Sequence, residues 1–127
     1  MDARIDPLQI LGLAAGDVHV IRNAGGVITD DVIRSLAISQ YELGTEQIAV
    51  MQHTQCGLLT LQEDDFASRV QEATGARPAW PTLAFSDLEA SVRDGVRRIQ
   101  ASSVLPHTGH VRGFVYEVES GRVREVG

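Results

Sequence analysis

The sequence predicts an α/β domain with a mainly parallel central sheet flanked by helices, and three observations lead to this class. Segments with helical spacing alternate with short, nearly all-apolar segments of strand length. A chain of 127 residues with 43% hydrophobic content suffices for one domain, residues 1–127, around a single core. The charged fraction of 22% is ordinary for a globular protein and argues against wholesale disorder.

The chain is expected to begin with a short helix and a strand. Pro7 suits a first helical position, so a helix is predicted from Pro7 to near Gly16. The apolar residues at 18–21 then predict a strand that closes on a Gly25–Gly26 turn.

A longer helix and a buried strand are predicted next. Thr29 can cap the helix, Asp30–Asp31 place carboxylates at the positive end of its dipole, and Gly44 should stop it. The run EQIAVMQH is nearly all apolar and predicts a strand that ends at His53.

The second half of the chain is predicted to form two helices and a hairpin. Residues 64–73 form the first helix, which Gly75 stops. Ser86 and Glu89 have the spacing of a capping box at the start of a second helix. The alternation of apolar and polar residues around Ser120–Gly121 predicts a hairpin.

Composition argues against several functional classes. The formal net charge is -6, and the most basic local feature, Arg97–Arg98, is typical of a solvated helix face, so nucleic acid is not an expected partner. The chain contains neither an apolar run long enough to span a bilayer nor a signal-peptide pattern. Cys56 is the only cysteine, which fits a reducing cytoplasm.

His53 and Cys56 form an H-x-x-C motif at the end of the predicted strand. Zinc accepts both imidazole nitrogen and thiolate sulfur, so the two residues are candidate metal ligands. The alternatives are a hydrogen-bonded histidine beside a buried structural cysteine, or a nucleophilic Cys56 activated by His53. His107 and His110 are a second candidate pair in a polar loop, whereas His19 is expected to pack against or cap an adjacent element.

Two further motifs can bind charge. Asp2 and Arg4 point the same way in an extended segment, so the guanidinium can orient the carboxylate and lower its pKa. The alternative is a solvated ion pair of little energetic consequence. The turn at residues 22–26, RNAGG, brings backbone N–H groups together where they can meet an anion, or it is a plain connection.

Taken in order, these motifs resemble the β-class carbonic anhydrases, especially the small bacterial and mycobacterial type. The resemblance rests on MDARIDP, HVIRNAGG, TDDVIRSLAISQYELGT and H-x-x-C-G, and continues through DDF, TG-x-RP-x-W and RGFVYEV. It implies a three-layer fold, dependence on Zn²⁺, and reversible hydration of carbon dioxide to bicarbonate and a proton by a zinc-bound hydroxide. It also implies a homodimer or higher homo-oligomer.

The resemblance also assigns residue roles. His53 and Cys56 correspond to zinc ligands, and Asp2 and Arg4 to the catalytic pair that orients the hydroxide, with Asp2 a substitute zinc ligand in a closed form. Glycines are further candidates for contacting substrate: Gly25, Gly26 and Gly57. The family's first cysteine ligand should stand immediately before Met1, so we expect Met1 to be an internal methionine, with the N-terminal helix and first strand of the family lying outside these residues.

Two consequences are expected for the 127-residue chain itself. Weak zinc binding and reduced hydration should follow from the missing ligand, and marginal stability from the missing strand. The alternative function is a non-catalytic relative that acts as a small-anion-binding or interaction module.

Overall fold

The fold is built from four helices and a three-stranded sheet, and the structure, a computed structural model, describes residues 1–127. The helices are α1 (Pro7–Leu11), α2 (Asp30–Leu43), α3 (Glu63–Thr74) and α4 (Leu88–Gln100). The strands are β1 (Ile48–His53), β2 (Val111–Glu117) and β3 (Arg122–Val126). Short 3-10 turns occupy Ala24–Gly26 and Gly57–Leu59. The predicted α/β class is confirmed.

The sheet has the order β1-β2-β3 and mixed pairing. β1 pairs with β2 in parallel, with His53 opposite Tyr116, and β2 pairs with β3 as an antiparallel hairpin, which confirms the predicted hairpin. Its three strands therefore contain one parallel and one antiparallel pair. The second edge of β1 has no strand beside it.

The core lies between the sheet and α4, with α2 packed beside them. The fully buried side chains Val92 and Ile99 come from α4, and Val115 comes from β2. Gly113 on β2 permits this close packing, because a Cβ there would lie 2.6 Å from Val92 Cγ1. Ile33 and other α2 residues pack against the cluster that contains Ile99. None of the helices is both long and apolar enough to cross a bilayer.

Most predicted helix boundaries are confirmed to within a few residues. Thr29 caps α2 by accepting a hydrogen bond from Val32 N, and Gly44 ends the helix in the left-handed conformation. Gly75 ends α3 in the same way.

Two predictions of helix ends were wrong. α1 stops at Leu11 rather than near Gly16, because Gly12 already adopts the left-handed conformation, with φ of 66°. α4 is capped by Asp87, whose side chain accepts from Ala90 N, and not by Ser86.

The predicted strand at residues 18–21 was also wrong. This segment has no strand pairing, and Val18, Val20 and Ile21 are between 41% and 44% exposed. A strand is defined by its ladder, and no neighbouring strand lies alongside to form one. Between this segment and the free edge of β1 lies a cavity of about 1190 Å³ whose lining is largely apolar.

Candidate active site

The site is built around His53, at the carboxyl end of β1. Its side chain is mostly buried, with 12% exposed. His53 Nδ1 lies 2.7 Å from the carbonyl oxygen of Thr54. A carbonyl oxygen can only accept, so Nδ1 carries a proton, and in the neutral imidazole Nε2 then holds the lone pair. Nε2 lies 3.7 Å from Asp2 Oδ2.

Asp2 is held by Arg4 in a two-pronged ion pair. Arg4 Nε donates to Asp2 Oδ1 at 3.0 Å and Nη2 donates to Oδ2 at 2.7 Å, while the backbone N–H of Arg4 donates to Oδ1 at 2.8 Å. These hydrogen bonds hold the pKa of Asp2 well below its usual range, and those from the Arg4 side chain contribute more than the one from its backbone. The carboxylate beside His53 is therefore ionised and fixed in orientation.

Cys56 follows a two-residue turn after His53, and its thiol is free and buried, with 8% of the residue exposed. The pKa of Arg4 is raised, mainly by its hydrogen bonds to Asp2 and in smaller part by electrostatic interactions with Asp2, Cys56 and Glu119. Cys56 therefore lies within electrostatic reach of the Asp2–Arg4 pair.

The segment that carries Asp2 and Arg4 is fastened by residues 22 and 23. Arg22 donates to the carbonyl oxygens of Ile5 and Asp2, both at 2.7 Å, and the Met1 ammonium donates to the carbonyl oxygen of Asn23. Sequence reasoning read this stretch as a glycine turn and missed the role of Arg22, since nothing local indicates a contact 20 residues away.

Of the three glycines predicted to contact substrate, Gly25 and Gly26 lie in crowded positions and Gly57 lies in an open one. Gly26 has φ of 60°, and a Cβ there would lie 2.7 Å from the carbonyl oxygen of Met51. A Cβ on Gly25 would lie 2.4 Å from Leu58 Cδ1, whereas one on Gly57 would meet nothing within 4 Å. Gly25 and Gly26 are therefore needed for the close approach of this turn to the site.

The turn between His53 and Cys56 is held by residues that the sequence did not indicate. Thr54 Oγ1 donates to Glu119 Oε2 and Gln55 Nε2 donates to Glu119 Oε1, both at 2.8 Å. The carbonyl oxygen of Gln55 accepts from Arg4 Nη2 at 3.2 Å.

The other histidines do not join this site. His107 bonds Gln40 through its backbone N–H and carbonyl oxygen, and His110 lies in the same exposed loop. His19 Nδ1 lies 2.6 Å from Ser39 Oγ on α2, as expected for a residue that packs against a neighbouring element.

The donor set of the site suits zinc at two positions. An imidazole nitrogen such as His53 Nε2 and a cysteine sulfur such as that of Cys56 are ligand types that zinc prefers. The hydrogen bond from His53 Nδ1 to a carbonyl oxygen is the outer contact that usually orients a metal-binding imidazole. The structure contains no group of three or more His, Cys, Asp or Glu residues arranged to hold a metal.

Comparisons with known proteins identify the family. Residues 1–123 match the sequence profile described as carbonic anhydrase. Beta-carbonic anhydrase 1 of Mycobacterium tuberculosis is 48% identical over 99% of this chain and 77% of that relative. Carbon disulfide hydrolase of an Acidianus species is 31% identical over 98% of this chain and 73% of the relative.

A solved structure extends the match to three dimensions. The crystal structure of carbonic anhydrase from Streptococcus mutans superposes with a TM-score of 0.95 at 42% identity, covering 100% of this chain and 77% of that one. The predicted fold is thereby confirmed. The chain belongs to the β-class carbonic anhydrase family, as its motifs predicted.

Proposed function

We propose that this protein catalyses the reversible hydration of carbon dioxide to bicarbonate and a proton, with zinc bound through His53 and Cys56. One observation carries the proposal: an ionised Asp2, fixed by Arg4, lies 3.7 Å from Nε2 of His53. The alternative, a solvated Asp2–Arg4 ion pair at a frayed end of the chain, does not account for the position of Asp2 beside a mostly buried imidazole.

The residues divide the work between binding and orientation. Bound zinc lowers the pKa of water to ~7 and so supplies a hydroxide nucleophile near neutral pH. His53 Nε2 and Cys56 Sγ would hold the metal, and the hydrogen bond from His53 Nδ1 to Thr54 sets the direction of the ring. Asp2 accepts a hydrogen bond from the reacting oxygen and turns a lone pair toward carbon dioxide, while Arg4 keeps Asp2 ionised.

Orienting the nucleophile and binding zinc would both use the same carboxylate oxygen of Asp2, Oδ2. Oδ2 faces Arg4 Nη2 at 2.7 Å and His53 Nε2 at 3.7 Å, so it is placed to orient the nucleophile or to bind zinc as a third ligand. Bound to zinc, Oδ2 would be unable to accept a hydrogen bond from the reacting oxygen. Substrate would meet this centre beside Gly25, Gly26 and Gly57.

Assembly and location complete the proposal. Membership of the β-class carbonic anhydrase family favours a homodimer or larger homo-oligomer. The free thiol of Cys56 favours a reducing, cytoplasmic location.

Carbon disulfide is the second substrate to be compared. Relatives at 31% identity are named carbon disulfide hydrolases, whereas the carbonic anhydrase relative reaches 48%. The higher identity favours carbon dioxide.

Stopped-flow measurement of carbon dioxide hydration across a zinc titration tests the proposal. Zinc should raise the rate above that of the zinc-free chain, and Cys56→Ser should remove this increase. His107→Ala, in the exposed loop, is the matched control and should behave as the parent. A folded chain that neither binds zinc nor hydrates carbon dioxide would favour the non-catalytic module. Turnover of carbon disulfide but not of carbon dioxide would show that carbon disulfide is the substrate.

A further inference from the structure

We propose that Glu119 is a positioning residue of this site, acting through the turn Thr54–Gln55, which we call the site turn. Glu119 fixes the site turn so that its two carbonyl oxygens hold His53 and Arg4 in place. Only the catalytic consequence rests on the proposed function, because the positioning itself can be measured without metal or substrate.

The carboxylate of Glu119 engages both side chains of the site turn. One oxygen accepts from Thr54 Oγ1 and the other from Gln55 Nε2, each at 2.8 Å. Both donors come from adjacent residues, and the acceptor lies 64 and 65 positions further along the chain. A single carboxylate therefore joins the link between β2 and β3 to the loop that separates His53 from Cys56.

The backbone of the site turn needs such a restraint. Gln55 has φ of 55°, in the left-handed region that residues with a Cβ avoid at a cost of roughly 1–2 kcal/mol. Its carboxamide has no other hydrogen-bond partner than Glu119. The bond thus favours the left-handed conformation over the extended one that Gln55 would otherwise adopt.

The opposite side of the site turn serves the active-site residues. The carbonyl oxygen of Thr54 accepts from His53 Nδ1 at 2.7 Å, and that of Gln55 accepts from Arg4 Nη2 at 3.2 Å. These two carbonyl groups flank the Cα of Gln55, so a change in the Gln55 backbone dihedrals would disturb the bonds to the imidazole and the guanidinium together. The side chains thus face Glu119 while the carbonyl groups face the site.

The hairpin supplies a rigid base for this contact. Thr54 N donates to the carbonyl oxygen of Tyr116, and Val118 N donates to Thr54 Oγ1 at 3.0 Å. Hydrogen bonds from its own backbone N–H, then Thr54 and Gln55, together with the charge of Arg4, lower the pKa of Glu119, so the acceptor is ionised at neutral pH.

Nitrogen-15 NMR of His53 in the metal-free chain tests the positioning directly. The parent should show the tautomer with the proton on Nδ1, as the bond to Thr54 requires. Glu119→Gln keeps the size of the side chain but turns one of the two acceptors into a donor. It should raise the share of the tautomer with the proton on Nε2, and a parent-like spectrum would overturn the proposal.

Two further variants separate positioning from stability. Glu125→Gln removes an equal charge from the neighbouring strand, where Glu125 pairs with Arg112, and should leave the His53 spectrum unchanged. Thr54→Val keeps the branched shape but removes one donor to Glu119, together with the acceptor for Val118 N, and should shift the tautomers in the same direction as Glu119→Gln. A lower unfolding midpoint in either test variant without any tautomer shift would show a purely structural role and contradict the proposal.

The catalytic consequence has its own readout. If the chain binds zinc, competition with a chromogenic chelator should show ~10–100-fold weaker affinity for Glu119→Gln than for Glu125→Gln. Equal affinities would contradict the proposal. Absence of zinc binding in the parent would instead count against the proposed function, while the tautomer measurement still decides the role of Glu119.

Discussion

Replacing Gly26 with alanine tests the claim that the 3-10 turn at Ala24–Gly26 must approach the end of β1 closely. Its φ of 60° makes any side chain unfavourable by roughly 1–2 kcal/mol. A Cβ would also lie 2.7 Å from the carbonyl oxygen of Met51, which is backbone and cannot rotate away. Overpacking of this kind costs ~1–3 kcal/mol, so Gly26→Ala should lower the free energy of unfolding by about 2–5 kcal/mol.

Gly44→Ala provides the matched control for the backbone contribution. Gly44 has φ of 73°, but a Cβ there would meet nothing within 4 Å, so only the conformational cost of about 1–2 kcal/mol applies. Urea unfolding of both variants should therefore give a difference of ~1–3 kcal/mol, which reports the close approach alone. Equal losses, within about 0.5 kcal/mol, would refute the crowding that we infer at Gly26.

Two further predictions concern charged side chains and their hydrogen bonds. Hydrogen bonds from Arg124, then Arg93, lower the pKa of Glu89 below 4.5, so the stabilisation that these bonds give the folded state is present above that pH and is lost as pH falls through the folded pKa. In urea unfolding, Glu89→Gln should be less stable than the parent at pH 7, and the difference in unfolding free energy should close in acid. A difference independent of pH would contradict this. In Arg22→Gln, the new side chain cannot bond the carbonyl oxygens of both Ile5 and Asp2. The rate of zinc-dependent hydration should therefore fall ~10–100-fold in stopped-flow assays. Parent-like rates would exclude the anchoring role of Arg22.

Local signals predicted the elements whose ends depend on local chemistry. α2 was predicted from a capping threonine, two aspartates and a terminal glycine, and the structure shows each of these contacts within one helix. The hairpin of β2 and β3 likewise depends on a short turn. The cap of α4 was misassigned because Ser86 and Asp87 are adjacent and either side chain suits the position.

The segment at residues 18–21 shows why a strand cannot be read from its own residues alone. Its alternation is suited to a strand, but a ladder needs a neighbour, and the adjacent edge of β1 is separated from it by the cavity. Apolar residues without that neighbour remain partly exposed.

The site residues that belong to sequence motifs were predicted, whereas those that act through long-range contacts were not. Asp2, Arg4, His53 and Cys56 were predicted from motifs, and Asp2 reaches His53 across 51 positions of sequence. The role of Arg22, although it lies in the RNAGG motif, and that of Glu119 were missed, because each acts through a carbonyl group or a turn that only the folded chain brings close. Such contacts leave no local pattern in the sequence.

The central claim is that Asp2 orients a nucleophile at a zinc held by His53 and Cys56, and the zinc-dependent rate of carbon dioxide hydration by Asp2→Asn tests it most directly. Asparagine keeps the shape of the side chain but cannot hold an ionised acceptor beside His53. With zinc content equal to the parent, kcat should fall about 10- to 100-fold. A parent-like kcat in this zinc-loaded variant would contradict the account.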